Sequence, residues 1–203
     1  TSGIKIFPTI QTAQGFVTTD KNDNQIWGFY EGAMKKTRAI SLKKFLKNDD
    51  FVVIAPNDPT STIKFARECV RKKASYMFDP AFNIPHFNKK DLEFSIKHAS
   101  IVIGNDYEIE LIKRKLNLKK LPKNNQIWIT TLGHQGSLIK KNENEWNIAV
   151  AKPKNIFDPT GAGDAWRGGF VGALVAGKPL EECLIMGNVM ASFAVECVGT
   201  VEY

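Results

Sequence analysis

From residue 51 onward the chain alternates between two hydrophobic periods, and this alternation leaves few folds open to it. Phe51-Val52-Val53-Ile54-Ala55 is a short unbroken apolar run, the pattern of a strand buried on both faces. Residues 61–73 then carry Ile63, Ala66 and Val70 at helical spacing, with Thr60 or Ser61 as the expected N-cap. The same change of period recurs as a strand at 76–78, a helix near 90–98, a strand at 101–103, a helix near 107–116 and a strand at 127–130. A β-α-β order of this kind predicts an α/β fold, a mostly parallel sheet with helices packed on its faces.

Residues 137–140 and 146–150, separated by polar residues 142–145, predict a hairpin. Two longer helices are expected after it, over 162–176 and 180–195, the first rich in Gly and Ala. At the other end, Phe16-Val17-Thr18-Thr19 and Gln25-Ile26-Trp27-Gly28-Phe29-Tyr30 flank a polar turn at 20–24. That is a second hairpin, expected outside the main sheet as an edge or a flap. Its aromatics Trp27, Phe29 and Tyr30 are expected to pack against their own fold, with stacking on a base or sugar as the alternative.

The net charge of +7 raises the question of a nucleic-acid partner. The basic residues gather at 35–47 and 113–123, interleaved with Leu, Phe and Ile at helical or turn spacing. A solvated face accounts for them, and no nucleic acid is expected; a basic field also attracts an anionic nucleotide. No apolar run approaches the roughly 18 residues of a membrane span, and nothing resembles a signal peptide, so no membrane partner is expected. Cys69, Cys183 and Cys197 have neither metal nor redox spacing and read as packed thiols in a reducing cytoplasm. His86, His98 and His134 form no metal pattern. Thr1 in place of Met, and structure continuing towards Tyr203, predict a chain truncated at both ends.

The string Asp158-Pro159-Thr160-Gly161-Ala162-Gly163-Asp164 carries the chemistry. Its glycines allow a close backbone approach to a ligand, and the helix that follows offers unpaired N–H groups and a partial positive charge. The Gly161, Ala162 and Gly163 amides are therefore candidates to bind phosphate oxygens. Asp164, in the first helical turn beside such an anion, is placed to accept the proton of an attacking hydroxyl. Gly-x-Gly alone would shape no more than a tight loop; the whole string ahead of a helix carries the reading. Arg167 lies one helical turn beyond Asp164, and reaches either a transferring phosphate or the surface. No Gly-x-x-x-x-Gly-Lys-Ser/Thr string occurs, so this is not a Walker-type site.

Continuing as Ala165-Trp166-Arg167-Gly168-Gly169-Phe170, the string resembles the C-terminal signature of the ribokinase-like (PfkB) carbohydrate and nucleoside kinases, with Pro159 in place of that family's first Thr. Asn105-Asp106-Tyr107-Glu108 is similar to the family's Asn-x-x-Glu, and Thr131-Leu132-Gly133-His134-Gln135-Gly136 to its Thr-x-Gly-x-x-Gly nucleotide loop, both in the right order. The resemblance implies a Rossmann-like three-layer fold with a β-hairpin lid. It divides the chain into a partial lid and connection at 1–34 and an ATP-binding catalytic domain at 35–203.

It also implies roles. Asp164 is the base, and Gly161, Ala162 and Gly163 form the anion hole. Asn105, Thr131, Gly133, Gly136, Gly163 and Asn188 bind ATP, and Glu108 acts on Mg2+ through water; Asn188 and Thr160 read equally as helix-packing and loop residues. Asp158, Thr160 and Gly199 fall where many members hold a monovalent cation such as K+. The implied reaction is transfer of the γ-phosphoryl group to a hydroxyl of a sugar or nucleoside, with a homodimer formed through the lid as a further expectation. A vitamin-precursor kinase of the same fold and a catalytically silent nucleotide binder are the alternatives. About the first third of a family member, including its substrate-binding acid and glycine pair, has no counterpart here.

Overall fold

In the computed structural model, residues 3–20, 25–47, 49–122, 125–200 and 202–203 are described. They divide into two compact units, Thr1–Ser100 and Ile101–Tyr203. The first begins with the expected hairpin: β1 (Gln14–Thr19) and β2 (Gln25–Tyr30) pair antiparallel, with Gln14 opposite Tyr30. Residues 21–24 of its turn and the side chain of Trp27 lie outside what is described, as does Lys123 at the end of the second basic stretch. Phe29 and Tyr30 remain about half exposed rather than packed, and Phe29 faces Phe82 with ring centroids 5.9 Å apart.

The first basic stretch forms two 3-10 turns, Gly32–Ala39 and Leu42–Lys44. Next come β3 (Phe51–Ile54), α1 (Pro59–Lys72), β4 (Ser75–Phe78) and α2 (Lys89–His98). The strands β3 and β4 pair in parallel, so α1 is a crossover helix. Its N-cap is Asp58, not Thr60 or Ser61: the Asp58 carboxylate accepts the Ser61 N–H and hydroxyl, each at 2.9 Å, and Pro59 takes the first helical turn. Proline is suited to that place because its missing N–H has no partner to lose. Asp58 also receives Arg38 at 2.6 Å, and buried Glu68 on α1 accepts from the Ser41 hydroxyl and the Leu42 N–H. These two acids fasten the 3-10 turns to the helix. Tyr76, Met77, Phe78 and Leu92 are fully buried and form the centre of this unit's core.

The second unit repeats the parallel arrangement. β5 (Ile101–Asn105) and β6 (Ile127–Thr131) pair in parallel around α3 (Asp106–Leu116). β7 (Ser137–Lys141) and β8 (Asn144–Ile148) then add antiparallel to β6. The second strand of that hairpin starts before residue 146, because Asn142 takes φ 57° and closes a tighter turn than the polar run suggested. Two helices complete the unit, α4 (Ala162–Val175) and α5 (Leu180–Ala194). Val102, Ile112, Trp128, Ile129, Ile139 and Phe170 are buried in its core. The α/β class expected from the periodicity holds in both units.

Candidate active site

The strand register of the second unit builds a row. Asn105 at the end of β5 stands opposite Thr131, Thr131 opposite Ser137, and Ser137 opposite Ile148. Three residues expected at a nucleotide site, Asn105, Thr131 and (between β6 and β7) Gly136, thus fall at one end of four paired strands. This is the end at which parallel β-α units leave a crevice for ligands.

At the head of α3, Asn105 and Glu108 form a capping box. The Glu108 N–H donates to Asn105 Oδ1 and the Asn105 N–H to Glu108 Oε2, both at 2.8 Å. Burial pushes the Glu108 carboxyl above its ordinary range, against the opposing pull of the Asn105 N–H. Its Oε1 takes no hydrogen bond among the described residues, so one carboxylate oxygen remains for a hydrated Mg2+. The donor set fits that ion.

The Thr131–Gly136 segment turns sharply. Gly133–Gln135 forms a single 3-10 turn, and the Leu132 N–H donates to the Gly136 carbonyl at 2.8 Å. Gly136 has φ 92°, and a Cβ there would sit 2.1 Å from the Ile148 carbonyl oxygen. Only glycine lets this loop press against the end of β8.

α4 begins at Gly161, which has φ 84°. The Ala162 N–H is taken by the Pro159 carbonyl at 3.2 Å, while the Gly161, Gly163 and Asp164 N–H groups have no acceptor among the described residues. The open donors therefore flank Ala162 rather than include it. Asp164 follows in the first helical turn with its side chain 73% exposed, in ion-pair contact with Arg167, whose own side chain is only 15% exposed. Loss of bulk water around the group raises the Asp164 carboxyl above its ordinary value even though its tip is open. Arg167 is thus the partner of the candidate base, a contact that helical spacing alone left undecided.

Asp158, Thr160 and Gly199 do meet. Asp158 Oδ1 accepts the Thr160 N–H at 2.9 Å and Oδ2 the Gly199 N–H at 3.1 Å, and hydrogen bonding from Thr160 and then Gly199 holds the carboxyl below its usual range. What surrounds the acid are donors, whereas a monovalent cation needs a ring of oxygens. These two contacts give K+ no support.

Asn188 departs furthest from expectation. It is 4% exposed, and all four of its hydrogen-bonding positions are used inside the chain. Its Oδ1 accepts from Trp166 Nε1 at 2.8 Å and Ser137 Oγ at 3.2 Å. Its Nδ2 donates to the carbonyls of Ala149 at 2.8 Å and Ile148 at 3.2 Å. The side chain has no capacity left for a nucleotide, which corrects its expected place among the ATP contacts. Sequence reasoning passes over Ser137 and Trp166 as site residues; Ser137 borders the glycine loop, and that adjacency is the only signal for it.

Among the described residues no group of three or more His, Cys, Asp or Glu could hold a metal, and no helix is long and apolar enough to cross a membrane. Residues 1–202 match the family model described as pfkB family carbohydrate kinase. A nucleoside kinase of Methanocaldococcus jannaschii is 34% identical over 191 residues, which are 93% of this chain and 62% of that protein. The crystal structure of the M. jannaschii nucleoside kinase, described as an archaeal member of the ribokinase family, superposes with a TM-score of 0.81 at 32% identity, over 96% of this chain and 64% of that one. A Burkholderia thailandensis nucleoside kinase in complex with inosine gives a TM-score of 0.91 at 25% identity, over 96% of this chain and 66% of that one. The chain therefore spans less than two thirds of the relatives it matches, and over that span it has their fold.

Proposed function

The chain belongs to the pfkB family of carbohydrate kinases, and on that footing we propose that it carries the phosphoryl-transfer site of an ATP-dependent kinase acting on a hydroxyl of a nucleoside or sugar. The observation that carries this reading is the start of α4, where open N–H groups on Gly161 and Gly163 lie beside the Asp164 carboxylate. Such a helix start binds phosphate oxygens and stabilises charge developing on them. The substrate hydroxyl gives its proton to Asp164 as its oxygen bonds to the γ-phosphorus. The bond from that phosphorus to the β,γ-bridging oxygen breaks, and its electron pair leaves with ADP.

Thr131, Gly133 and Gly136 would receive the nucleotide, with Asn105 near the phosphates. Mg2+, when bound with ATP, offsets phosphate charge, and Glu108 would hold its water shell. Arg167 orients the Asp164 carboxylate. The nucleoside branch is favoured over the sugar branch by the nucleoside kinases among the relatives. The hairpin as a substrate lid, a homodimer through it, the division at residue 34 and a cytoplasmic location belong to the same reading.

ADP formation is measured with MgATP against adenosine, inosine, cytidine, ribose, fructose phosphates and a pyridoxal or hydroxymethylpyrimidine acceptor. Turnover with a nucleoside is expected. Turnover only with the vitamin precursor would move the protein to that branch, and ATP binding without turnover on any acceptor would make it a silent nucleotide binder.

A further inference from the structure

The relation of Asn188 to its four partners is more than packing, because they belong to the two halves of the site. Ser137 and Ile148 are the last two members of the strand-end row that begins with Asn105 and Thr131. Ile148 and Ala149 are also the backbone on which Gly136, the end of the glycine loop, rests. Trp166 lies on α4 two residues beyond Asp164, its ring stacked on Phe170 at 5.2 Å and pressed against Gly187, where a Cβ would come within 2.6 Å of the indole. The carboxamide nitrogen therefore holds the loop side and the oxygen holds both sides, Ser137 and the indole of α4.

We infer that Asn188 is a positioning residue that couples the nucleotide loop to the helix carrying Asp164, so that occupation of the loop fixes where the base stands. The inference rests on the reading of Gly133–Gly136 as the nucleotide loop. A planar amide suits this coupling, because its two donors and two acceptor sites lie in one rigid plane. A shift of the Ile148–Ala149 carbonyls therefore turns the oxygen against the indole N–H. Neighbouring side chains on α5 cannot substitute, because leucine or methionine has no donor and a serine reaches too short a distance for both sides.

The test uses the full chain with 15N-labelled tryptophan, titrated with MgADP while calorimetry follows binding. The Trp166 indole N–H signal, identified by its loss in Trp166→Phe, is expected to shift and to saturate with the calorimetric curve. In Asn188→Ala the shift should vanish while MgADP still binds. If Asn188→Ala fails to fold, Trp166→Phe carries the test, since it removes the indole N–H while a smaller aromatic ring remains on the Gly187 side of α4. It should bind MgADP within about threefold of the parent, a lost hydrogen bond being modest in net worth, yet lower kcat roughly ten- to a hundredfold by misplacing the base. An unmoved indole signal with normal MgADP binding, or unchanged kcat in Trp166→Phe, would overturn the coupling alone. Failure of MgADP to bind the parent chain would overturn the nucleotide-loop reading, and the coupling with it.

Discussion

Asn105 and Glu108 each hold the other's backbone N–H, at 2.8 Å in both directions, so one acid both starts α3 and offers its remaining oxygen to solvent. These two duties separate on substitution. Glu108→Gln keeps an oxygen for the Asn105 N–H, so the melting temperature should change little. The Mg2+ concentration needed for half-maximal turnover should rise about tenfold or more, as loss of a supporting group around a metal usually does. Thermal melts and a Mg2+ titration of initial rates check the two halves of this expectation.

Asp164→Asn should retain MgADP affinity and lower kcat by roughly a hundred- to ten-thousand-fold, the range for removing a positioned base. Paired calorimetry and initial rates measure it; near-normal turnover would remove Asp164 from the role of base.

The acid limb of kcat/KM should lie above the ordinary aspartate value of about 3.9, because loss of water raises the Asp164 carboxyl and a base works only when ionised. Activity is then lost as pH falls through that raised value. Arg167→Gln removes the charge that favours ionisation, so its acid limb should move to still higher pH. A pH profile in which the limb stays fixed in Arg167→Gln would contradict the contact's electrostatic role.

Gly136→Ala requires φ 92° of an alanine and drives its Cβ onto the Ile148 carbonyl oxygen. About 2 kcal/mol or more of destabilisation is expected, from overpacking and a strained backbone together, and denaturant unfolding measures it.

Asp58 supplies stability with a defined pH window. Burial would raise its carboxyl, but the Arg38 hydrogen bond, the two bonds from Ser61 and the Arg38 charge outweigh it and hold the group below its ordinary value. A depressed carboxyl contributes stability above its unfolded pKa of about 3.9, and that contribution is lost as pH falls through the folded value. Asp58→Ala removes the cap and the pair, at a cost of about 2 kcal/mol near neutral pH. The difference between parent and variant should narrow in strong acid, as unfolding curves at pH 7 and pH 3 would show.

Much of the fold is legible because its signals are local. The apolar runs at 51–55 and 101–103 and the helical spacing after each of them are complete within a dozen residues, and the strands and helices fall where the periods change. The first N-cap is ambiguous in the sequence because Asp58, Thr60 and Ser61 all have capping side chains; in the structure Asp58 takes the cap, with Pro59 after it, and also pairs with Arg38. The glycine string and the Asn105–Glu108 start are visible for the same local reason. The role of Asn188 is not, since its partners stand 22, 39, 40 and 51 positions away. A buried amide and a ligand-binding amide are the same letter in a sequence.

The Asp158 carboxylate, with one oxygen on Thr160 and the other on Gly199, also closes the chain on itself at the foot of the α4–α5 pair, where Phe157 and Val195 add a backbone bond of 2.8 Å. Forty-one positions separate Asp158 from Gly199, so this carboxylate ties together the two ends of the segment that holds α4 and α5. Because α4 and α5 also pack on each other, with Trp166 against Gly187, the segment is expected to open as a block and not by fraying from one helix end. Amide hydrogens of α4 and α5 should therefore exchange with solvent at a shared rate, and acid that protonates Asp158 should quicken both alike.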